Sequence, residues 1–260
     1  MPASVMKTAA RRALNLWPLA ACALIYLQID HVIAWVGRPE IHDRLWAADL
    51  LLFGDHPSVW WAEHGTRAWT EVLAFCYLGY NLVVGAVAVT AVLRCPVPEA
   101  RRVVRGLAAA YLAGYILYVL LPAAPPHAVL SVPSGGAAAG GWITALLGRS
   151  TAMNPSAAHG AFPSLHCAVT LVALLAARQL DRRLFRVLLL PAVGLLPAVL
   201  LLGHHYAADV LAGLVLGAAV HAGNGRGFGF DRRCISGDAP VGDTGPAPHS
   251  RPPARPECRH

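Results

Sequence analysis

Residues 184–222 read LFRVLLLPAVGLLPAVLLLGHHYAADVLAGLVLGAAVHA. Two apolar runs, about 184–202 and 205–222, meet at a short polar insert, Gly203-His204-His205-Tyr206-Ala207-Ala208-Asp209. A helix that crosses a bilayer needs about 20 mostly apolar residues, within a range of roughly 17–25. Four further stretches meet that requirement, at about 14–36, 72–93, 106–122 and 163–179. The fourth and sixth spans are short, and each opens on a polar motif. The expected fold is an all-α integral membrane bundle of six transmembrane helices over residues 1–222. Residues 223–260 are rich in Gly, Pro and Arg without apolar periodicity and read as a disordered cytoplasmic tail.

Composition agrees with lipid as the solvent. Charged residues make up 13% of the chain and the mean hydropathy is +0.50, against about 25% charged in soluble domains. The net charge of +7 does not point to nucleic acid, because 17 of the 21 basic residues lie in the N-terminus, in the tail and in two loops between apolar runs. Those loops carry Arg94, Arg101, Arg102 and Arg105, and Arg178, Arg182, Arg183 and Arg186. The positive-inside rule then puts both termini in the cytoplasm of a multi-pass protein of the cell membrane. Trp35, Trp46, Trp60, Trp61, Trp69 and Trp142 fall on the opposite, outer side, where an aromatic belt is expected. The basic start and the Ala21-Cys22-Ala23 step resemble a signal peptide, but the apolar run continues to Trp35, so a retained helix is favoured. Residues 41–53 mix apolar and charged positions and fit either a surface amphipathic helix or a polar loop. In the long loop at 123–162, Trp142 to Leu147 fits a short helix at the interface. The six cysteines have neither zinc-finger nor redox spacing.

Three motifs carry the chemistry, and this topology puts all of them at the outer face. They are Pro122-Ala123-Ala124-Pro125-Pro126-His127 closing the third span, Gly160-Ala161-Phe162-Pro163-Ser164-Leu165-His166 opening the fourth, and the 203–209 insert opening the sixth. Helix N-termini present unpaired N–H groups and a positive dipole end, which suits a phosphate. Ser164 adds a hydroxyl donor or caps the fourth helix. His205 and Asp209 are four apart and share one face if both are helical. The carboxylate can accept from one ring nitrogen and leave the other free to attack. His166, from another helix, can protonate the leaving oxygen. A single membrane histidine is usually a packing residue, but a carboxylate inside a span is costly and usually functional. No third strong ligand has metal spacing, so neither metal nor cofactor is expected. Tyr111, Tyr115 and Tyr118 form a stripe at helical spacing, read first as bundle packing and second as a wall for a head group, with Tyr118 best placed.

Pro163-Ser164-Leu165-His166 followed by His205-Tyr206-x-x-Asp209 resembles the type 2 phosphatidic acid phosphatase superfamily. The fuller strings look most like its inositolphosphotransferase branch, which includes fungal inositol phosphorylceramide synthase. The resemblance covers about 100 residues, from Tyr118 to Gly213. It implies a six-helix bundle in which His205 is the nucleophile and forms a phosphohistidine, Asp209 orients it, His166 is acid and then base, and Ser164 contacts phosphate. Two departures stand out. Val199 occupies the position of an arginine kept by the phosphatase branch, and the lysine-and-arginine motif near the third span is missing. The candidates to meet the phosphate charge are Arg149 first, as the only charged residue of the long loop, then His127 and His204. The expected activity is transfer of a phosphoryl-containing group from a membrane phospholipid or a polyprenyl-type lipid phosphate to an alcohol. The alternatives are a lipid phosphate phosphatase, with water as acceptor, and a non-catalytic lipid-binding membrane protein.

Overall fold

The computed structural model describes residues 12–129, 141–152 and 158–224. The proposed tail from 225 onward lies outside these residues, as do the loop segments 130–140 and 153–157. The described chain is helical, with one isolated parallel bridge between Ala123 and Gly160. After a turn at Leu14–Leu16 come α1 (Trp17–Tyr26), α2 (Ile29–Val36), α3 (His42–Phe53), α4 (Pro57–His64), α5 (Arg67–Leu78) and α6 (Tyr80–Arg94). They are followed by α7 (Val97–Leu120), α8 (Pro126–Val129), α9 (Trp142–Ala152), α10 (Leu165–Leu180), α11 (Arg182–Leu201) and α12 (Ala207–Gly223).

Among the described residues three helices are long and apolar enough to cross a membrane: the 28-residue run Arg67–Arg94, α7 and α11. A fourth is reached if α1 and α2, bent by 52° at Leu27–Gln28, count as one broken span. The apolar helices α10 and α12 are shorter, at 16 and 17 residues. The third span starts well before the expected residue 106, because Arg101 and Arg105 sit on an exposed face while Ala100, Val103 and Val104 turn inward. An apolar window ends at those arginines, but a helix does not.

Helix α10 is the hub. It is buried along most of its length between α6, α7, α11 and α12. Two glycines one turn apart bring α12 against it. A Cβ at Gly213 would stand 2.3 Å from the Ser164 carbonyl oxygen, and one at Gly217 would stand 2.6 Å from that of Ala168. Small residues at such spacing let helix backbones approach closely in a membrane protein. The same contact places the start of α12 beside the start of α10, and Ser164 N–H donates to the Asp209 carbonyl at 3.0 Å. Outward-facing Leu82, Ile116, Leu190 and Val215 give the bundle an apolar exterior.

The basic loops share one end of the bundle. Arg12 donates to the Leu93 carbonyl, Arg94 pairs with Asp181, and Asn224 donates to the Arg102 carbonyl. The three motifs meet toward the other end. There residues 42–53 form α3, the helix and not the loop of the two readings, with Leu45 and Asp49 inward and Leu51 86% exposed.

Candidate active site

Residues 202–206 form a tight turn between α11 and α12. The Val199 carbonyl accepts from both His204 and His205 N–H, at 3.0 and 3.1 Å. Gly203 makes the reversal with φ +67°, a region that favours glycine. Its carbonyl accepts from the His127 N–H at 3.0 Å and from His127 Nδ1 at 2.9 Å. The Pro125-Pro126-His127 corner is thereby fastened to the turn. The Val199 side chain is buried in the core.

His205 therefore precedes α12 and is not part of it. The expected pairing with Asp209 exists, but not as two residues on one helix face. Asp209 is the third residue of α12, and its Oδ2 reaches back to accept from Tyr206 N–H at 3.1 Å and to face His205 Nδ1 at 3.3 Å. This is the backward reach of an acidic residue in a capping box. His205 Nδ1 also lies 3.0 Å from the Ala161 carbonyl. A carbonyl and a carboxylate can only accept, so Nδ1 carries the proton and Nε2 keeps a free lone pair. That Nε2 faces His166 Nδ1 at 3.1 Å. His166, His205 and Asp209 thus converge, with His205 and Asp209 both buried.

The N-terminus of α12 differs from its expected role as an open phosphate cradle. Asp49, from α3, accepts Ala207 N–H at 3.0 Å and Ala208 N–H at 2.7 Å, so the first two amides of α12 are occupied. Burial pushes the Asp49 carboxyl up from its ordinary range, opposed by these two bonds and by nearby His56. At α10, Ser164 Oγ accepts from Cys167 N–H at 3.4 Å, the capping arrangement, and the residue is fully buried. The Tyr118 ring packs over Gly160.

A cavity of about 810 Å³ opens beside the histidine pair. Its wall includes His127, His166, His204 and His205, and six of the seven tyrosines, all but Tyr206. Tyr77 stacks on His204 with ring centroids 4.7 Å apart, and Tyr77 and Tyr80 flank His166 at 4.9 and 4.8 Å. Tyr77 lies ten residues after Arg67, about 15 Å along the helix, so the site is recessed into the bundle. Burial, with His127, His166 and His205 adding to it, holds the His204 imidazole well below its usual range. No Lys or Arg lines the cavity among the described residues. The segments 130–140 and 153–157 contain none in their sequence. Arg149 lies on α9 with its side chain exposed and does not reach the cavity wall. Among the described residues no group of three or more His, Cys, Asp or Glu is arranged to hold a metal ion.

Sequence reasoning missed Asp49, which lies 158 residues before Ala207 and resembles any polar residue of an amphipathic segment. It also missed Glu71. That carboxylate accepts from Ile143 N–H, Thr144 N–H and the Thr144 hydroxyl and fastens α9 to α5. No local pattern announces either contact.

The bundle is all-helical and apolar, and it brings His166, His205 and Asp209 together at the starts of two packed helices. The family comparison agrees: the model of the PAP2 superfamily matches residues 43–223, and the chain belongs to that superfamily. Its members are phosphatases or phosphotransferases. No curated protein and no solved structure matches the chain.

Proposed function

We propose that this protein is an integral membrane phosphotransferase that passes a phosphoryl-containing group from a lipid phosphodiester to an alcohol through a phosphohistidine on His205. The observation that carries the reading is the 3.1 Å approach of His166 Nδ1 to His205 Nε2, with the far nitrogen of His205 held by Asp209 and Ala161. In the first step His205 Nε2 attacks phosphorus and the bond from phosphorus to the leaving oxygen breaks. His166, entering as imidazolium, gives its Nδ1 proton to that oxygen and is left neutral. In the second step His166 takes the proton of the acceptor hydroxyl, whose oxygen attacks phosphorus as the N–P bond breaks. With His166 Nδ1 and His205 Nε2 3.1 Å apart, the two rings must part to admit the phosphorus atom. The Asp209 carboxylate stabilises the positive charge that builds on His205.

Two features favour this reaction over hydrolysis of a monoester. The cavity runs past the histidines along Tyr118, Tyr115 and Tyr111 and has room for more than water. Among the described residues its wall also holds no Lys or Arg, which suits a singly charged diester better than a dianionic monoester. His204 and His127 are the hydrogen-bonding groups proposed to meet the phosphate oxygens, with Tyr118 beside the head group. The branch resemblance points to an inositol phosphate head group, on a membrane phospholipid or a related polyprenyl-type lipid. In the membrane arrangement we propose, α10 and α12 are short spans of a six-span bundle. Both termini are cytoplasmic and the site opens to the outer face of the cell membrane.

The test is incubation of the purified protein with labelled phospholipids and lipid phosphates, with and without added alcohols. A new phospho-alcohol product supports the proposal. Release of inorganic phosphate alone supports a phosphatase instead. Absence of turnover with every substrate, unaltered by His205→Ala, sinks both.

A further inference from the structure

Asp49 is fully buried on the inner face of α3, and its two oxygens are divided between two successive amides, Oδ2 to Ala207 and Oδ1 to Ala208. These are the first two N–H groups of α12, which have no partner inside the helix itself. A serine, threonine or asparagine before the helix meets that need at low cost. Here the residue before α12 is Tyr206, whose hydroxyl donates instead to the Ala124 carbonyl. The helix start is held by an imported carboxylate beside a second buried carboxylate, Asp209. Two like charges in one dry region are expensive. The arrangement therefore has to do something that a neutral cap does not.

The distribution of acceptors shows what that is. Asp209 Oδ2 serves Tyr206 N–H and His205 Nδ1, while Oδ1 is buried without a hydrogen-bond partner among the described residues. Asp209 sits in the same first turn of α12 and carries an acceptor oxygen, Oδ1, that no described residue engages. An acidic residue at the third position of a helix reaches back toward the helix start in a capping box, and amides freed of Asp49 would turn the Asp209 carboxylate toward themselves. Once turned, it leaves His205 Nδ1 with the Ala161 carbonyl alone. We propose that Asp49 is a positioning residue: by occupying the Ala207 and Ala208 amides it keeps the Asp209 carboxylate on His205. The role rests on His205 being the nucleophile, as argued above. It makes α3 part of the active-site support and extends that support to the first elements of the region matched by the superfamily.

The experiment uses the full chain in detergent or nanodiscs, with bis(p-nitrophenyl) phosphate as the diester probe. Asp49→Asn keeps the shape and one acceptor oxygen, but turns an NH2 group toward the other amide. It is expected to lower kcat by about 10- to 100-fold, the range for losing an outer partner that orients a functional group, with KM changed little. Ala207→Pro deletes one of the two amides at a position where proline suits a helix start. Tyr206, at φ −78° and ψ 156°, already has the backbone that precedes proline. Combined with Asp49→Asn, it removes part of the demand on Asp209 and is expected to recover part of kcat. A purely structural cap would lower the melting temperature of Asp49→Asn but leave kcat per folded molecule unchanged, and that result overturns the proposal. Histidine ¹⁵N NMR reads the same question without turnover. In the wild type His205 holds its proton on Nδ1, and in Asp49→Asn that signal is expected to move toward a tautomer mixture. An unchanged tautomer overturns the positioning role. A wild type that leaves the diester untouched while the tautomer still shifts overturns the phosphotransferase reading and leaves the role of Asp49 standing.

Discussion

Gly213→Ala puts one methyl group at the contact that sets the site. The new Cβ would lie 2.3 Å from the Ser164 carbonyl oxygen and 3.1 Å from its carbonyl carbon. Both neighbours are backbone and cannot swing aside. To reach ordinary contact, α12 and α10 must separate by roughly 1 Å. Overpacking of this kind costs about 1–3 kcal/mol, and the Ser164 N–H to Asp209 carbonyl bond adds about 1 kcal/mol if it breaks. Replacing a helical glycine by alanine returns about 0.5–1 kcal/mol. The net expectation is a loss of about 1–3 kcal/mol. Catalysis is expected to suffer more, because a shift of 1 Å in reacting groups can cost about 100-fold in rate. Asp209 and Ser164 sit on the two helices that would part. Thermal unfolding in detergent measures the first effect, and diester turnover per folded molecule measures the second. Gly85→Ala is the control: a Cβ there meets nothing within 4 Å, and its helix is expected to gain about 0.5–1 kcal/mol. If Gly213→Ala matched the wild type in both stability and kcat, the close α10–α12 contact would not be what positions the site.

Three further substitutions separate the roles assigned to individual side chains. Asp209→Asn keeps the size but removes the charge facing His205 Nδ1, so kcat is expected to fall by about 10³–10⁴-fold, as for loss of a carboxylate that orients a catalytic histidine; steady-state turnover at unchanged folded fraction is the check. Arg149→Ala alters an exposed residue away from the cavity wall, so its activity is expected within about twofold of wild type; a loss beyond about tenfold in kcat/KM would place Arg149 on the substrate. His204 stays neutral in the folded protein at pH values where an unfolded imidazole, with its ordinary value near 6.5, takes up a proton. The unfolded state then binds more protons, so this residue costs stability as the pH falls below about 6.5. His204→Gln is expected to lessen the drop in melting temperature between pH 7 and 5, and an equal drop in both proteins would contradict that environment.

The convergence of His166, His205 and Asp209 was legible because their motifs open two helices that the arginine distribution placed at one face. Helix existence was legible too, although α7 begins nine residues before the apolar window that revealed it, since its arginines ride on an exposed side. What could not be read is how the ends are closed. Spacing of four suggested a helical His205–Asp209 pair, whereas the turn held by Val199 and Gly203 leaves His205 outside the helix and makes Asp209 reach backward. The expectation of open N–H groups at α12 failed because a carboxylate from α3 fills them. Asp49 and Glu71 act across 158 and 72 residues of chain respectively, and only the folded packing defines such pairs. The bend between α1 and α2 has no proline or glycine at Leu27–Gln28 to announce it.

The central claim is that phosphorus becomes bonded to His205 Nε2. Rapid-quench incubation with a phosphorus-labelled lipid phosphodiester, followed by proteolysis and mass spectrometry, tests it directly. The expected result is an acid-labile, base-stable label on the peptide carrying His205, absent in His205→Asn and discharged when an alcohol acceptor is added. Turnover without any label on that peptide, and retained in His205→Asn, would contradict the account.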